Sequence, residues 1–334
     1  MKHVKETILN KKIWQAALLG VLLFGGKSAV FAQGGYADVL LRMGVASRSE
    51  AMGRAYTAVI GSPESAFYNP AASTAMESRM IDLSIRALPL DRSFSYVGFS
   101  TAIRPKSKNT DVQKQPLGGG LALSWIRAGV SNIDGRDSDG EKFGSYSNSQ
   151  NLVNFTFGLR PGERVAIGMT ARLFWNRFPN IGEDDATVSS RAFGFDLGTL
   201  ITLADGLWLG AVYKNINAKF SWDSGKLYER GTSTIDRFPK HWRIGVATSR
   251  LHKNFLFALD LESSDKQDPK LYAGGEYAIL PQANLRAGIR DGNPAFGAAY
   301  RFALGSRVSY LHYAFVAQPD EVSAEHIFSW SFQF

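Results

Sequence analysis

The residues able to do chemistry in this sequence do not form a recognisable catalytic arrangement. Ser309 and His312 lie three residues apart in one predicted strand, so their side chains would face opposite sides of it. No Gly-x-x-x-x-Gly-Lys-Ser/Thr loop for phosphate occurs after residue 32. None of the five histidines has a partner at metal-ligand spacing; they are His3, His241, His252, His312 and His326. We therefore expect no enzymatic activity, no cofactor and no metal site.

Two acidic stretches are the remaining candidates for binding a cation. The first is a predicted loop with four carboxylates, and the second is the run 183–185. Neither has the oxygen-ligand spacing of a known Ca²⁺ loop, so solvated acidic loops are the favoured interpretation. The carboxylates of the first loop are Asp134, Asp137, Asp139 and Glu141.

Many other charges alternate with apolar residues. Phe155 and Phe157, for example, lie on one face of a segment whose other face carries Asn154 and Thr156. Charges opposite such an apolar row cannot face lipid, where each would cost about 2–4 kcal/mol near the midplane. We expect them to line a polar lumen, as ion pairs that hold the structure together or, less favoured, as a transport path. They are Asp82, Arg86, Arg160, Arg172, Asp196, Lys214, Asp260, Glu276, Arg286, Arg290 and Arg301.

This period-two alternation continues from Arg79 to the end and is typical of membrane β-strands. We count fourteen strands, the even number that a bacterial single-chain barrel requires. The predicted fold class is all-β, a fourteen-stranded antiparallel transmembrane β-barrel over residues 79–334. The predicted strands are 79–88, 94–103, 117–128, 150–160, 163–175, 191–203, 206–220, 241–250, 254–262, 270–279, 283–290, 295–303, 307–315 and 325–334.

The predicted connections alternate in length. Short turns at 161–162, 205–206 and 304–306 follow even strands, and long loops follow odd strands. Outer-membrane barrels keep short turns in the periplasm and long loops outside. The basic stretch 104–116 departs from this scheme, because it makes a long periplasmic turn. The predicted long loops are 129–149, 176–190 and 221–240.

The first 32 residues have the organisation of a signal peptide. An apolar run at 13–26 is shorter than the ~20 residues of a transmembrane helix, and Lys27 closes it. Small residues at 30–32 predict cleavage before Gln33. A basic region precedes the run, with lysines Lys2, Lys5, Lys11 and Lys12.

Charge and composition narrow the function classes further. Removing residues 1–32 takes away five lysines and one glutamate, which halves the net charge from +8 to +4. A weak charge spread over many strands does not predict nucleic-acid binding. The sequence has no cysteine, which excludes a disulfide framework and a lipoprotein anchor. With no long apolar run after Ala32, a membrane-embedded form must be a closed barrel.

Residues 33–78 do not alternate and are rich in small side chains. They predict short helices, and a fourteen-stranded lumen is wide enough to hold such a segment as a hatch. A periplasmic extension is the alternative. In Asn69-Pro70-Ala71, Pro70 disfavours a helical Asn69 and the Asn side chain can fix a turn, which predicts a structural rather than a ligand-binding role.

Residues 43–73 resemble the N-terminal signature of the PorV/PorQ family within the FadL-like outer-membrane superfamily. The resemblance rests on the box 48–55 and the triplet 69–71, and the hatch motif is Met52, Gly53, Asn69, Pro70 and Ala71. Two positions depart from the pattern, because Arg54 and Ala72 stand where glycine is usual. The resemblance implies a fourteen-stranded barrel whose N-terminal segment folds inward as a hatch.

The last predicted strand alternates aromatic and polar residues and ends on Phe334. An aromatic terminal residue of this kind resembles the signal read by the barrel-assembly machinery. We therefore expect Phe334 to be an assembly signal and the location to be the outer membrane of a Gram-negative-type cell, in contact with its lipids.

Two functions remain open at this stage. The first is a channel that binds or passes a hydrophobic small molecule through a hatch-gated lumen. The second, implied by the PorV/PorQ resemblance, is a component of the type IX secretion system that binds exported proteins. For the first function, the candidate ligand-contacting residues are Phe67, Tyr68, Trp222, Tyr228 and Phe238.

Overall fold

The computed structural model describes residues 37, 39–104, 118–181, 186–225, 231–318 and 324–334. The predicted signal peptide 1–32 and its cleavage site lie outside the described residues and stay predictions. The acidic run 183–185, Tyr228 and nearly all of the basic stretch 104–116 also lie outside them.

In the described residues, fourteen of sixteen strands form one closed antiparallel barrel, which confirms the predicted fold class. Consecutive strands pair throughout, except that β7 pairs with β10, and β1 closes the barrel on β16. Strands β8 and β9 form a separate hairpin. The strands are β1 (Met80–Ala87), β2 (Arg92–Ile103), β3 (Gly118–Arg136), β4 (Lys142–Arg160), β5 (Val165–Ile181), β6 (Ala186–Ala204), β7 (Leu207–Ile216), β8 (Lys219–Asp223), β9 (Ser233–Arg237), β10 (His241–His252), β11 (Phe255–Ser264), β12 (Lys270–Leu280), β13 (Ala283–Arg290), β14 (Asn293–Leu304), β15 (Arg307–Val316) and β16 (Glu325–Gln333).

The three short turns are confirmed, but the predicted loops 129–149 and 176–190 are wrong over most of their length. The first shrinks to 137–141, because β3 and β4 stay paired as far as Arg136 and Lys142. Strands β5 and β6 extend likewise to the pair Ile181 and Ala186. These extensions are mostly polar and lack a regular apolar alternation, so the backbone ladder continues where that alternation has stopped. We call this end of the barrel the loop end and the opposite one, where β1 begins, the turn end.

The outer wall of the barrel is apolar. Large side chains such as Ile85, Phe155 and Leu285 are about half exposed on it, whereas the inward neighbours are small or polar. A water-soluble protein rarely exposes apolar surface on this scale. The distribution is that of a barrel whose wall faces hydrocarbon.

The segment before β1 packs inside the barrel. We use the name hatch for residues 39–78, the continuous described part of the predicted segment 33–78. Its helices are short, and its residues from Val45 to Thr74 are almost all buried against the inner faces of the strands. In the described part of the chain, no helix has the length and apolar character of a membrane span. The hatch elements are α1 (Val39–Arg42), α2 (Ser47–Ala51), α3 (Ser65–Tyr68) and a 3₁₀ helix (Pro70–Ala75).

Phe334 lies at the barrel seam, where its backbone N–H donates to the carbonyl of Arg79 at 3.0 Å. Its ring stacks on Phe99 with centroids 6.4 Å apart, and the Arg307 guanidinium lies 5.4 Å from the ring centroid. These contacts are exposed and contribute little to stability.

We predict that Phe334→Asp lowers the amount of assembled barrel in the outer membrane several-fold, because it removes the aromatic assembly signal. The purified, refolded variant should unfold within about 1 kcal/mol of the parent, because little area is buried there. Heat-modifiable gel mobility measures assembly, and Phe334→Tyr is the control that retains the ring. Normal assembly of the aspartate variant would contradict the assignment.

Candidate functional site

The Asn69 amide joins three parts of the structure. Its Oδ1 accepts from the Ala71 backbone N–H at 3.1 Å, which caps the 3₁₀ helix that Pro70 begins. Its Nδ2 donates to the carbonyls of Thr57 at 2.8 Å and Thr199 at 2.9 Å. One buried side chain therefore fixes a turn, an earlier hatch segment and β6 together.

Met52 and Gly53 end α2 against the barrel wall. Gly53 has a φ of 59°, and a Cβ there would lie 2.6 Å from the backbone N and O of Ile289. Both the left-handed conformation and the close approach require glycine. Met52 is fully buried and its carbonyl lies against Gly274, where an added Cβ would be 2.1 Å away.

Glycines line the wall wherever the hatch backbone rests on it. A Cβ at Gly168 would lie 2.4 Å from the carbonyl carbon of Pro70, so backbone touches backbone. Several of these glycines are direct cross-strand partners on neighbouring strands. We call the set the glycine belt: Gly120, Gly158, Gly168, Gly198, Gly210, Gly245, Gly274, Gly288 and Gly297. The individual glycines are visible in the sequence, but their alignment requires the strand register.

Glu50 of α2 is the centre of a buried ion-pair network. Its carboxylate lies 2.6 Å from Arg54 of the hatch, 3.4 Å from Arg86 of β1 and 3.3 Å from Arg290 of β13. Burial alone would raise the pKa of Glu50, but these three guanidiniums outweigh it and lower the pKa below its ordinary value. Glu50 is therefore ionised and joins the hatch to opposite sides of the barrel seam.

Asp260 on β11 holds the next part of the hatch. Its Oδ2 accepts from the backbone N–H groups of Tyr56 and Thr57, both at 2.9 Å, and from the Thr57 hydroxyl at 2.7 Å. Arg243 on β10 lies 3.6 Å from the same carboxylate and donates to the carbonyl of Arg54 at 3.0 Å. This pair therefore binds hatch backbone at three points and one hatch side chain, the Thr57 hydroxyl.

A third network begins at Arg48 of α2, which pairs with Glu276 of β12 at 2.8 Å. Glu276 also pairs with Arg286 of β13 at 2.5 Å. Arg286 contacts His312 at 3.2 Å, and His312 shares a hydrogen bond of 2.9 Å with Ser331. Glu50 and Glu276 thus each face more than one guanidinium, with partners from both the hatch and the wall.

The structure places the predicted lumen charges in two groups. Arg86, Arg172, Asp196 and Arg286 are buried beside the hatch, as are Asp82 and Asp260. Arg160 and Arg301 lie at the turn end, below the hatch, and take part in none of these networks. Arg160 donates to carbonyls of its own turn, at Gly162 and Glu163, and Arg301 is exposed. Period-two alternation gives the face of a residue but not its depth along the barrel.

The predicted ligand-contacting residues are divided between two places. Phe67 and Tyr68 belong to α3 and pack on each other at 5.3 Å. Trp222 and Phe238 instead pack with the rings of Phe174, Phe178 and Phe220, which were not among the predicted ligand-contacting residues. The alternation on β5 does place Phe174 inward. Centroid distances within this group include 4.6 Å for Phe174–Phe238 and 5.6 Å for Phe220–Trp222. We call the group the aromatic cluster: Phe174, Phe178, Phe220, Trp222 and Phe238.

Two cavities lie on either side of the hatch. The loop-end cavity holds about 440 Å³ and reaches Tyr68 of the hatch and Lys270 of β12. The turn-end cavity holds about 330 Å³ and reaches Thr74 of the hatch and Arg160 of β4. They share no lining residue among those described. Hatch residues line both cavities, so the hatch lies between them.

The acidic residues of the predicted first loop are engaged with neighbours of their own hairpin. Asp134 pairs with Arg136 at 3.1 Å and with Lys142 at 2.6 Å, and Asp137 accepts from the backbone N–H of Asp139 at 3.0 Å. The described residues contain no group of three or more His, Asp or Glu side chains arranged to hold a metal ion.

The fold is similar to those of solved hydrocarbon transporters. The toluene transporter TbuX of Ralstonia pickettii superposes with a TM-score of 0.60 at 13% identity, over 87% of this chain and 98% of that one. A FadL homologue of Pseudomonas aeruginosa gives 0.57 at 12% identity, over 87% and 98%. The CymD monoaromatic hydrocarbon channel gives 0.58 at 15% identity, over 89% and 99%. No protein-family model and no curated protein matches the sequence. The chain therefore has the fold of a FadL-type barrel.

We predict that Gly120→Ala opens the hatch intermittently, because its Cβ would lie 2.3 Å from the Ser73 carbonyl carbon. An overpacking cost of about 1–3 kcal/mol raises the open fraction roughly 5- to 150-fold. Planar-bilayer conductance is the measurement, with deletion of 36–77 as the open reference. Gly119→Ala is the matched control, because a Cβ there meets only ordinary contacts on the outer wall. A Gly120→Ala barrel as closed as this control would contradict the close approach.

We predict that Glu50→Gln loosens the hatch at pH 7, because three guanidiniums lose their shared carboxylate, a loss worth about 3–5 kcal/mol. In the parent, the lowered pKa means that this stabilisation is complete above the ordinary value of 4.5 and declines as pH falls below it. Conductance measured from pH 7 to pH 3 should therefore rise at the acid end in the parent and be high throughout in Glu50→Gln. Glu77→Gln, at an exposed position, should behave as the parent.

Proposed function

We propose that this chain is a non-enzymatic outer-membrane barrel of a Gram-negative-type cell that binds a hydrophobic small molecule and passes it through a hatch-gated lumen. The observation that carries the proposal is a closed barrel with an apolar outer wall and a hatch packed inside it. The similarity in fold to channels whose names specify toluene and monoaromatic hydrocarbons supports the ligand class. Outer-membrane lipids and the barrel-assembly machinery are the partners that this function requires.

The aromatic cluster is the proposed first contact for the ligand. It joins β5 to the β8–β9 hairpin at the loop end, and Trp222 is only half buried while Phe174 and Phe220 are buried. Such a cluster offers large apolar contact with little loss of side-chain entropy. Passage then requires the hatch to move, because it lies between the two cavities.

A protein-binding role in type IX secretion is the second candidate. The resemblance of residues 43–73 to the PorV/PorQ signature supports it, and so do the long extensions of β3 to β6. These extensions form a mostly polar sheet beyond the apolar wall, with Ile133 and Phe143 exposed on it, and this sheet is the surface on which an exported protein would bind. Binding at that surface would need no movement of the hatch.

We predict that Trp222→Ala lowers uptake of labelled toluene by cells about five- to tenfold, because one aromatic contact of roughly 1 kcal/mol or more is lost. Trp242→Ala, which removes an exposed ring from the outer wall, is the matched control and should leave uptake unchanged. Equal uptake by the parent, both variants and a strain lacking the protein would reject the channel proposal. If that strain instead retained exported proteins in its periplasm, the secretion role would be favoured.

A further inference from the structure

The loop-end cavity has an unusual electrostatic composition for a hydrophobic channel. Seven arginine and lysine side chains line it, against two carboxylates, Glu262 and Asp291. Carboxylates behind the lining pair with several of these cations, as Glu50 does with Arg54 and Arg290. Arg172 and Lys214, on the β5–β7 side of the cavity, have few polar partners for their positive charges.

Lys214 has no described carboxylate within ion-pair distance. Its Nζ donates to the carbonyl of Phe67 at 3.3 Å and lies 5.3 Å and 5.6 Å from the ring centroids of Phe67 and Tyr68. A carbonyl and two ring faces leave ammonium donors available for another partner.

Arg172 is more deeply buried, with a side chain only 1% exposed. It forms an ion pair with Asp196, yet its Nε and Nη1 have no hydrogen-bond partner among the described residues. Buried guanidinium donors without partners are costly and rare. Arg172 lies 5.2 Å from the centroid of the same Phe67 ring that Lys214 contacts, so both cations converge on one region of the cavity.

A buried acceptor completes this group. Asn215, next to Lys214 in the chain, lines the same cavity, and its Oδ1 has no described hydrogen-bond partner. Its Nδ2 is already used by the carbonyl of Pro239 at 2.7 Å. A ligand that satisfies the two cations must present anionic oxygens, and one that also satisfies the amide oxygen, as a protonated phosphate does, must carry a hydroxyl or N–H.

We propose that Arg172, Lys214 and Asn215 form a binding site for a small polar oxyanion, a carboxylate or a protonated phosphate. The cavity surface is predominantly polar, and the rings of the aromatic cluster do not line it. This is therefore a second site, distinct from the proposed contact for a hydrophobic ligand. Charge-assisted hydrogen bonds from a guanidinium and an ammonium are the chemistry by which proteins hold such anions.

The test is titration of the mature chain, refolded in a neutral maltoside detergent, with inorganic phosphate and with acetate by calorimetry. We expect saturable binding that weakens about tenfold or more in Lys214→Gln, which leaves no carboxylate unpaired. Arg172→Lys should weaken it similarly, because it keeps the charge beside Asp196 but loses the planar guanidinium donors. Lys270→Gln is the matched control. Lys270 lines the same cavity but pairs with Asp291 at 3.8 Å. Removing its charge should therefore change the affinity for the anion less than about threefold.

Three outcomes would overturn the proposal. They are the absence of saturable binding by the parent, equal binding by parent and Lys214→Gln, and equal losses in Lys214→Gln and Lys270→Gln. Decanoate distinguishes a free anion from the head group of an amphiphile. Binding of decanoate without any binding of phosphate or acetate would reject the polar-anion site and assign an amphiphile instead. Heat-modifiable mobility confirms that each variant is folded, and toluene uptake tests the proposed channel separately.

Discussion

The buried carboxylate of Glu50 lies between arginines from the hatch and from two distant strands, and water does not reach it. A barrel wall that faces hydrocarbon on its outside cannot place these charges there, so its inward charges need partners inside the lumen. Arg86 and Arg290 of the wall pair with Glu50 on α2, and Glu276 of the wall pairs with Arg48 on the same helix. The hatch and the wall therefore each supply the counter-charges that the other needs.

Charge alone does not determine how closely the hatch approaches the barrel wall. The glycine belt removes side chains from the wall at the depth where Asn69, Pro70 and Thr57 lie, so that hatch backbone contacts strand backbone. Close packing on this scale excludes solvent from the interface between hatch and wall. The part of the lumen that the hatch does not fill at the loop end is a cavity lined by many cationic side chains.

Much of the fold could be predicted because lipid-facing strands impose a strict period of two. Strand number, closure and the face of Arg172 or Asp196 follow from that period. It gives no information where both faces are wet, which is why the extensions of β3 and β4 were predicted as loop. The aromatic cluster and the grouping of Arg172 with Lys214 depend on contacts between residues far apart in the chain. Such contacts follow from strand register and from the path of the hatch, and one sequence does not specify either.

The seam between β1 and β16 closes the barrel by joining its first and last strands, and the hatch touches both sides of it. Ser47 donates to the carbonyl of Ile327 at 3.0 Å and contacts Ser329, which donates to Ser84 of β1 at 2.9 Å. Arg86 of β1 reaches Glu50 of the hatch and Glu325 of β16. The hatch thus bridges the junction that closes the barrel. A segment seated there fastens the first strand of the chain to the last, so removing it would weaken the closure of the barrel as well as empty the lumen.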